Sequence, residues 1–283
     1  MTATSVTSHL PFRATLLNRR QLSADTSLFR VAPDPQALSA LSRFIPGQFL
    51  QISVPGGGEV PISPADLPAE DGTLELCVRR VGHVTKLLHE AIPGQALGLR
   101  GPLGTGFPVA KMMGSPVLLL AGGLGIAPLR SLLFHLLRHR DRYGELTLMY
   151  GAREPSLMLF RDELVALAAT SDLRLYLTVD FAPEEAPGDY ACAIGLLPDL
   201  LKGFRFDAGA SYAAVCGPPA LYRCLTGELT QAGVPADRIL LSLERRMRCG
   251  IGRCCHCAIG QKLCCIDGPV FRLSDLEDIP EAL

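Results

Sequence analysis

The sequence predicts a mixed β and α/β protein: an antiparallel β-barrel, a parallel-sheet α/β domain and a small Cys-rich C-terminal domain. Three observations carry this. Short period-two segments punctuated by turns fill the first third. Apolar strands then alternate with amphipathic helices. Six of the ten cysteines fall between Cys249 and Cys265. The boundaries fall at 10–112 for the barrel, 113–243 for the α/β domain and 244–283 for the Cys-rich domain.

In the first segment Leu50, Ile52 and Val54 alternate with Gln51 and Ser53, and Leu74, Leu76 and Val78 with Glu75, Cys77 and Arg79. That alternation turns one face of each strand into a core. Pro46-Gly47, Gly56-Gly57-Gly58, Asp71-Gly72, Pro93-Gly94 and Gly101-Pro102 supply the turns. Several short strands of this kind suit a small closed barrel, with Met1–His9 as a mobile tail.

From Val117 the texture changes. Val117–Ala121 is continuously apolar, as in a strand buried on both faces. Leu129, Leu132, Leu133, Leu136 and Leu137 follow at helical spacing. Further strands are expected at Leu146–Tyr150, Leu173–Val179, Tyr212–Cys216 and, as the last, Ile239–Leu243. Helices are expected at Arg161–Ala169 and Leu221–Gln231, an alternation that argues for a helix-covered parallel sheet. Ser274-Asp275-Leu276-Glu277 reads as the capping box of a short terminal helix.

Composition excludes some roles. Net charge is −1 and tryptophan is absent, so there is neither a basic field nor a stacking platform for nucleic acid. No long apolar run spans a membrane and no secretory leader is visible. A reducing, cytoplasmic compartment is expected, and clustered cysteines in such a chain read as metal ligands before disulfides.

Three motifs carry chemistry. Gly122-Gly123-Leu124-Gly125-Ile126-Ala127-Pro128 joins a buried strand to a helix. Glycines there admit a pyrophosphate, and the helix N-terminus offers free N–H groups. Pro128 suits the first helical position. Cys216-Gly217-Pro218-Pro219 is a second strand-to-helix turn, so both face one end of the sheet, with Cys216 either beside a planar ring or a buried strand-end thiol. Arg153 and Arg161 are candidates for a 2′-phosphate, and NADH versus NADPH stays open. The third motif is Cys249-x4-Cys254-x2-Cys257, the plant-type ferredoxin spacing, with a fourth ligand from Cys264 or Cys265. Thiolates suit a 2Fe–2S cluster; zinc, with His256 as a further ligand, is the competitor.

A nicotinamide moves two electrons as hydride and a 2Fe–2S cluster moves one, so a flavin converter is expected. The barrel is the place left for it. Candidate contacts are Pro61-Ile62-Ser63 and the stretch from Arg79 to Thr85, where Gly82 precedes a helical start and Arg79 can pair with phosphate.

Together these motifs resemble the ferredoxin-reductase-like electron-transfer subunits. These include the gamma subunits of cytoplasmic nickel–iron hydrogenases (sulfhydrogenases), the related electron-transfer subunit of sulfite reductase and that of dihydroorotate dehydrogenase. The resemblance runs from about Pro11 to Ala282 and rests on Glu244–Gly250, His256-Cys257, Cys265-Ile266-Asp267-Gly268-Pro269-Val270-Phe271, Pro46–Phe49, Gly101–Gly104 and Tyr150–Arg153. It implies FAD, a 2Fe–2S cluster and NAD(P). The implied FAD contacts are Pro61, Ile62, Ser63, Val78, Arg79, Val84 and Thr85. The implied nucleotide contacts are Gly122, Gly123, Gly125, Cys216 and Gly217. The implied cluster ligands are Cys249, Cys254, Cys257 and Cys265. Val60 and Ile62 stand where relatives carry arginine and tyrosine, and Cys255 and Cys264 are additional thiols. The expected role is an NAD(P)H-dependent oxidoreductase subunit serving a nickel–iron hydrogenase partner in a hetero-oligomer. The alternatives are a sulfite reductase or dihydroorotate dehydrogenase partner, a self-contained reductase, or a zinc-stabilised nucleotide-binding module.

Overall fold

The structure, a computed structural model, describes residues 10–181, 192–279 and 282–283; the expected tail Met1–His9 lies outside them. The chain forms two compact units, one of 1–106 with 244–269, the other of 107–243 with 270–283. The cysteine-rich segment thus packs with the barrel, and the residues after it return to the α/β unit.

The first unit holds β1 (Phe12–Gln21), β2 (Thr26–Pro33), α1 (Pro35–Leu41), β3 (Phe49–Val54), β4 (Gly58–Ile62), β5 (Leu74–Arg79), α2 (His83–Glu90) and β6 (Ala96–Leu103). The antiparallel strands run in the order β4-β3-β6-β1-β2-β5. An antiparallel bridge between Pro64 and Leu76 brings the chain after β4 onto β5, closing the sheet as a barrel. Leu50, Ile52, Leu74, Leu76 and Val78 fill its core, as the period-two pattern requires.

The second unit holds β7 (Val117–Gly122), α3 (Ile126–Arg138), β8 (Leu146–Ala152), α4 (Arg161–Thr170), β9 (Arg174–Val179), β10 (Ala193–Ile194), α5 (Leu197–Lys202), β11 (Tyr212–Cys216), α6 (Pro219–Ala232) and β12 (Ile239–Ser242). In the cysteine segment β13 (Ala258–Ile259) and β14 (Lys262–Leu263) form a small hairpin. The chain then re-enters the second sheet as β15 (Val270–Arg272). The order is β10-β9-β8-β7-β11-β12-β15, parallel except for β15. The strand order reverses direction between β7 and β11. That is the switch point at which open α/β sheets bind ligands, outside the carboxyl ends of the strands.

Three expectations change. The strand at Ile239 is not the last, because β15 pairs antiparallel to β12, with Leu241 opposite Phe271. Both residues are buried, and that pairing extends the hydrophobic sheet by one strand. The terminal helix at Ser274 is a single 3-10 turn, Leu273–Asp275, where the Arg272 N–H donates to Asp275 Oδ2 at 3.2 Å. Pro128 is the third residue of α3, not the first. It is tolerated there because the first four N–H groups of a helix have no intrahelical partner.

Two histidines titrate below their usual range. His135 on α3 is lowered chiefly by burial, then by the charges of His139, Arg138 and Arg142. His89, whose Nε2 lies 3.0 Å from the Val78 carbonyl, is lowered by burial. The unfolded chain therefore binds more protons than the folded one below the free histidine value, and stability rises with pH in that window. The melting temperature is expected to fall as pH drops from about 7 to about 5.5, below the free histidine pKa of about 6.5. His135→Gln is expected to flatten that fall; an unchanged pH dependence in thermal melts would refute the assignment.

Candidate functional site

Three groups of residues stand out, two in the barrel unit and one in the α/β unit. The first lies at the ends of β7 and β11. Gly123–Gly125 forms a 3-10 turn leading straight into α3. A Cβ on Gly125 would stand 2.2 Å from the Cys216 carbonyl oxygen and 2.7 Å from the Gly217 nitrogen. A Cβ on Gly217 would stand 3.2 Å from Gly122 Cα. The two turns read from the sequence are thus one backbone-to-backbone junction. Gly123, at φ +52, faces open space, and the first turn of α3 carries no acidic residue, so its N-terminal dipole is unopposed toward an anion.

Cys216 is buried, and its Sγ lies 3.5 Å from the Ser242 carbonyl. Tyr222, one turn into α6, also donates from its hydroxyl to that carbonyl and accepts the Gly217 N–H at 3.3 Å. Sequence reasoning missed Tyr222 and Ser242. The available signal was a tyrosine five residues after Gly217, on the inner side of the helix that the turn opens. Arg153 is exposed at the end of β8, its guanidinium 5.8 Å from the Phe181 ring centroid, whereas Arg161 pairs with Asp162 at 3.1 Å.

The second group lies on the barrel. Pro61 and Ile62 end β4, Ser63 follows, and Val78 and Arg79 end β5. Gly82 caps α2, and Val84 and Thr85 occupy its first turn. The Thr85 hydroxyl accepts the N–H groups of Val81 (3.0 Å) and Gly82 (2.9 Å) and donates to the Gly82 carbonyl (3.0 Å). It is therefore committed to shaping its own turn. Val78 points into the barrel core, and its carbonyl lies against His89 Nε2. Arg79 is exposed, and its charge offsets part of the rise that burial imposes on the Glu244 carboxyl.

The third group is the cysteine loop. Gly250 and Gly252 sit at φ +69 and +74, a region open to glycine at little cost. This curl aims N–H groups at sulfur. Cys249 Sγ accepts from Ile251 (3.5 Å), Arg253 (3.3 Å) and Cys254 (3.4 Å), and Cys265 Sγ accepts from Gly252 at 3.2 Å. Burial raises the Cys249 pKa, but the N–H donors of Ile251, Cys254 and Arg253 outweigh it and bring the thiol down to about 6. Burial, then hydrogen bonding with Cys257, pushes Cys265 up to about 12; burial pushes Cys264 up to about 12.

Among the described residues no three Cys, His, Asp or Glu side chains converge on one ion. The thiols influence one another's ionisation, Cys249 with Cys254, and Cys265 with Cys257 and Cys249. Several thiols in one short loop, with backbone N–H groups directed at Cys249 and Cys265, fit an iron–sulfur cluster, which takes thiolate ligands and is tuned by such hydrogen bonds. Cys254 and Cys255 are exposed, whereas Cys257, Cys264 and Cys265 are buried.

Family models match each part: an oxidoreductase FAD-binding domain over 13–107, an oxidoreductase NAD-binding domain over 119–226, and the iron–sulfur cluster binding domain of dihydroorotate dehydrogenase B over 244–277. The chain is thus an oxidoreductase with FAD-binding, NAD-binding and iron–sulfur domains, and the zinc alternative loses its ground. It is 38% identical to the sulfhydrogenase 2 gamma subunit of Pyrococcus furiosus, over 94% of this chain and 96% of that one. It is 34% identical to a probable dihydroorotate dehydrogenase B electron transfer subunit of Pyrococcus horikoshii, over 83% and 82%. The structure of an NADH-dependent reduced ferredoxin–NADP oxidoreductase superposes with a TM-score of 0.74 at 26% identity, covering 97% of this chain and 90% of that one. The chain belongs to the family of ferredoxin-reductase-like electron-transfer subunits that includes these sulfhydrogenase gamma and dihydroorotate dehydrogenase electron-transfer subunits.

The junction at Gly125 yields a mutational test. Gly125→Ala drives a methyl into the Cys216–Gly217 backbone and should cost about 3 kcal/mol of stability. Gly123→Ala, with open space but positive φ, should cost only about 1 kcal/mol. Equal melting temperatures for the two variants would contradict the packing described.

Proposed function

We propose that this flavoprotein subunit moves electrons between NAD(P)H, FAD and a 2Fe–2S cluster, and to or from a nickel–iron hydrogenase partner in a cytoplasmic hetero-oligomer. The observation that carries this reading is the cysteine loop itself, with backbone N–H groups directed at Cys249 and Cys265. No helix among the described residues is long and apolar enough to cross a membrane.

The dinucleotide binds where Gly122, Gly123 and Gly125 meet Cys216 and Gly217. The backbone there is bare and the N-terminus of α3 faces the pyrophosphate. Tyr222 holds the Gly217 amide and the Ser242 carbonyl, and so fixes the turn that carries Cys216. The flavin rests on Pro61, Ile62, Ser63, Val78, Arg79, Val84 and Thr85. The exposed Arg79 neutralises its phosphates in place of the arginine that Val60 replaces, and the Thr85-braced turn presents the first N–H groups of α2. When bound, the flavin converts between the hydride of a nicotinamide and the single electrons of an iron–sulfur cluster. Cys249, Cys254, Cys257 and Cys265 would hold the cluster, and the loop N–H groups lower the cost of their negative charge. No protein acid or nucleophile is required.

The hydrogenase assignment is supported by the 38% identity with a sulfhydrogenase gamma subunit along nearly the whole chain. The dihydroorotate dehydrogenase reading draws on the iron–sulfur family model over 244–277. Purification from the native host separates them. Co-elution with a nickel-containing subunit and hydrogen-dependent NAD(P)+ reduction are expected; co-elution with an orotate-forming flavoenzyme instead would refute the hydrogenase partner.

A second measurement tests the ligand set. Cys265→Ser should abolish the reduced-state EPR signal and most of the iron content, whereas Cys264→Ser should retain both. The reverse pattern would exchange the two assignments.

A further inference from the structure

Cys265 is carried by the short turn that follows β14, and one carboxylate closes that turn. Asp267 Oδ2 accepts the Leu263 N–H at 2.6 Å, and the Asp267 N–H donates back to the Leu263 carbonyl at 2.8 Å. The Ile266 N–H reaches the same carbonyl at 2.9 Å. Leu263 and Asp267 thus bracket Cys264, Cys265 and Ile266 with reciprocal hydrogen bonds. The bond to the carboxylate is short and charge-assisted, the stronger kind. Asp267 is exposed, so no packing demand explains its side chain.

The closed turn sits against the cysteine loop. Cys265 Sγ accepts the Gly252 N–H at 3.2 Å, and a Cβ on Gly252 would stand 2.8 Å from Ile266 Cγ1. The neighbouring Cys264 is buried, and its N–H is given to the Cys257 carbonyl at 3.1 Å. The barrel grips the other side of the turn. Just past β6, the Thr105 N–H donates to the Gly268 carbonyl at 2.6 Å and the Thr105 hydroxyl to the Asp267 carbonyl at 3.3 Å. A Cβ on Gly104 would stand 2.5 Å from that Gly268 oxygen. Asp267 is therefore held to the barrel by its backbone and holds the turn by its side chain.

We infer that Asp267 is a positioning residue for the fourth cluster ligand: its carboxylate closes the turn that brings Cys265 to the Gly252 N–H, on an anchor set by the end of β6. This rests on the cluster site of the proposed function and adds to it a residue outside the ligand set. Groups that orient metal ligands from behind govern how firmly the metal is kept and at what potential it is reduced. Asp267→Ala and Asp267→Asn remove the same charge, but only the asparagine keeps an acceptor for the Leu263 N–H. The difference between them isolates the hydrogen bond.

The test uses the full chain, reconstituted anaerobically with FAD, iron and sulfide. Readouts are the g-values and midpoint potential of the reduced-cluster EPR signal, the rate of iron release to a chelator, and the melting temperature. Asp267→Ala should shift the g-values and release iron about tenfold faster than wild type, the usual loss for an outer-shell partner. Its potential should lie below that of Asp267→Asn, because a sulfur that leaves the Gly252 N–H stabilises the reduced cluster less. Asp267→Asn should keep the wild-type g-values and release iron within about threefold of wild type, short of that outer-shell loss. A purely structural role predicts a lower melting temperature for Asp267→Ala with g-values and potential equal to those of Asp267→Asn, and that result overturns the inference. Should Asp267→Ala fail to fold, Asp267→Glu replaces it. Its extra methylene either misses the Leu263 N–H or pushes the turn outward, so the g-values should move; unmoved g-values overturn the role. A wild-type chain that takes up no iron overturns the cluster site itself, whereas a loaded wild type with unresponsive variants overturns the role of Asp267 alone.

Discussion

Backbone that comes close because no side chain intervenes is the constraint on which both chemical ends of this chain depend. In the α/β unit the Gly125 position stands 2.2 Å, measured from a notional Cβ, from the Cys216 carbonyl oxygen. Any side chain there would part β7 from the turn after β11 and open the switch point. In the cysteine loop Gly250 and Gly252 take positive φ, and the N–H groups of residues 251 to 254 consequently converge on two sulfurs. Both sites are built by main chain, and the side chains around them serve mainly to hold that main chain in place.

Several polar side chains have this holding role. Thr85 spends its hydroxyl on the turn before α2. Tyr222 fixes the Gly217 amide and the Ser242 carbonyl. Gln51 fixes the Arg248 carbonyl. In each case a side-chain donor or acceptor satisfies a backbone group that regular secondary structure leaves unpaired. Sites made this way are rigid before any cofactor arrives, and such pre-organisation lowers the ordering cost of binding.

The cysteine loop also shows how one local environment separates neighbouring thiols. Cys249 receives several N–H donors and is drawn toward the thiolate, whereas Cys264 and Cys265 are buried and held as thiols. Cys264 and Cys265 are adjacent in sequence and alike in pKa, yet only Cys265 receives the Gly252 N–H.

Much of this was legible in the chain. Alternation at Leu50–Val54 and Leu74–Val78 announced the barrel, the apolar run at Val117 announced the central strand, and the Cys249–Cys254–Cys257 spacing announced the cluster chemistry. These are local signals, set by strand period and by the reach of a short loop. What only the tertiary structure decided involves residues far apart in sequence. The return of Val270–Arg272 to the second sheet, the contact of Gly125 with Cys216–Gly217, the grip of Tyr222 on Ser242 and the burial of outward-facing Gln51 under Arg248 and Gly250 were all invisible to pattern. Periodicity reports which face of a segment is apolar, but not which distant backbone will come to cover the other face.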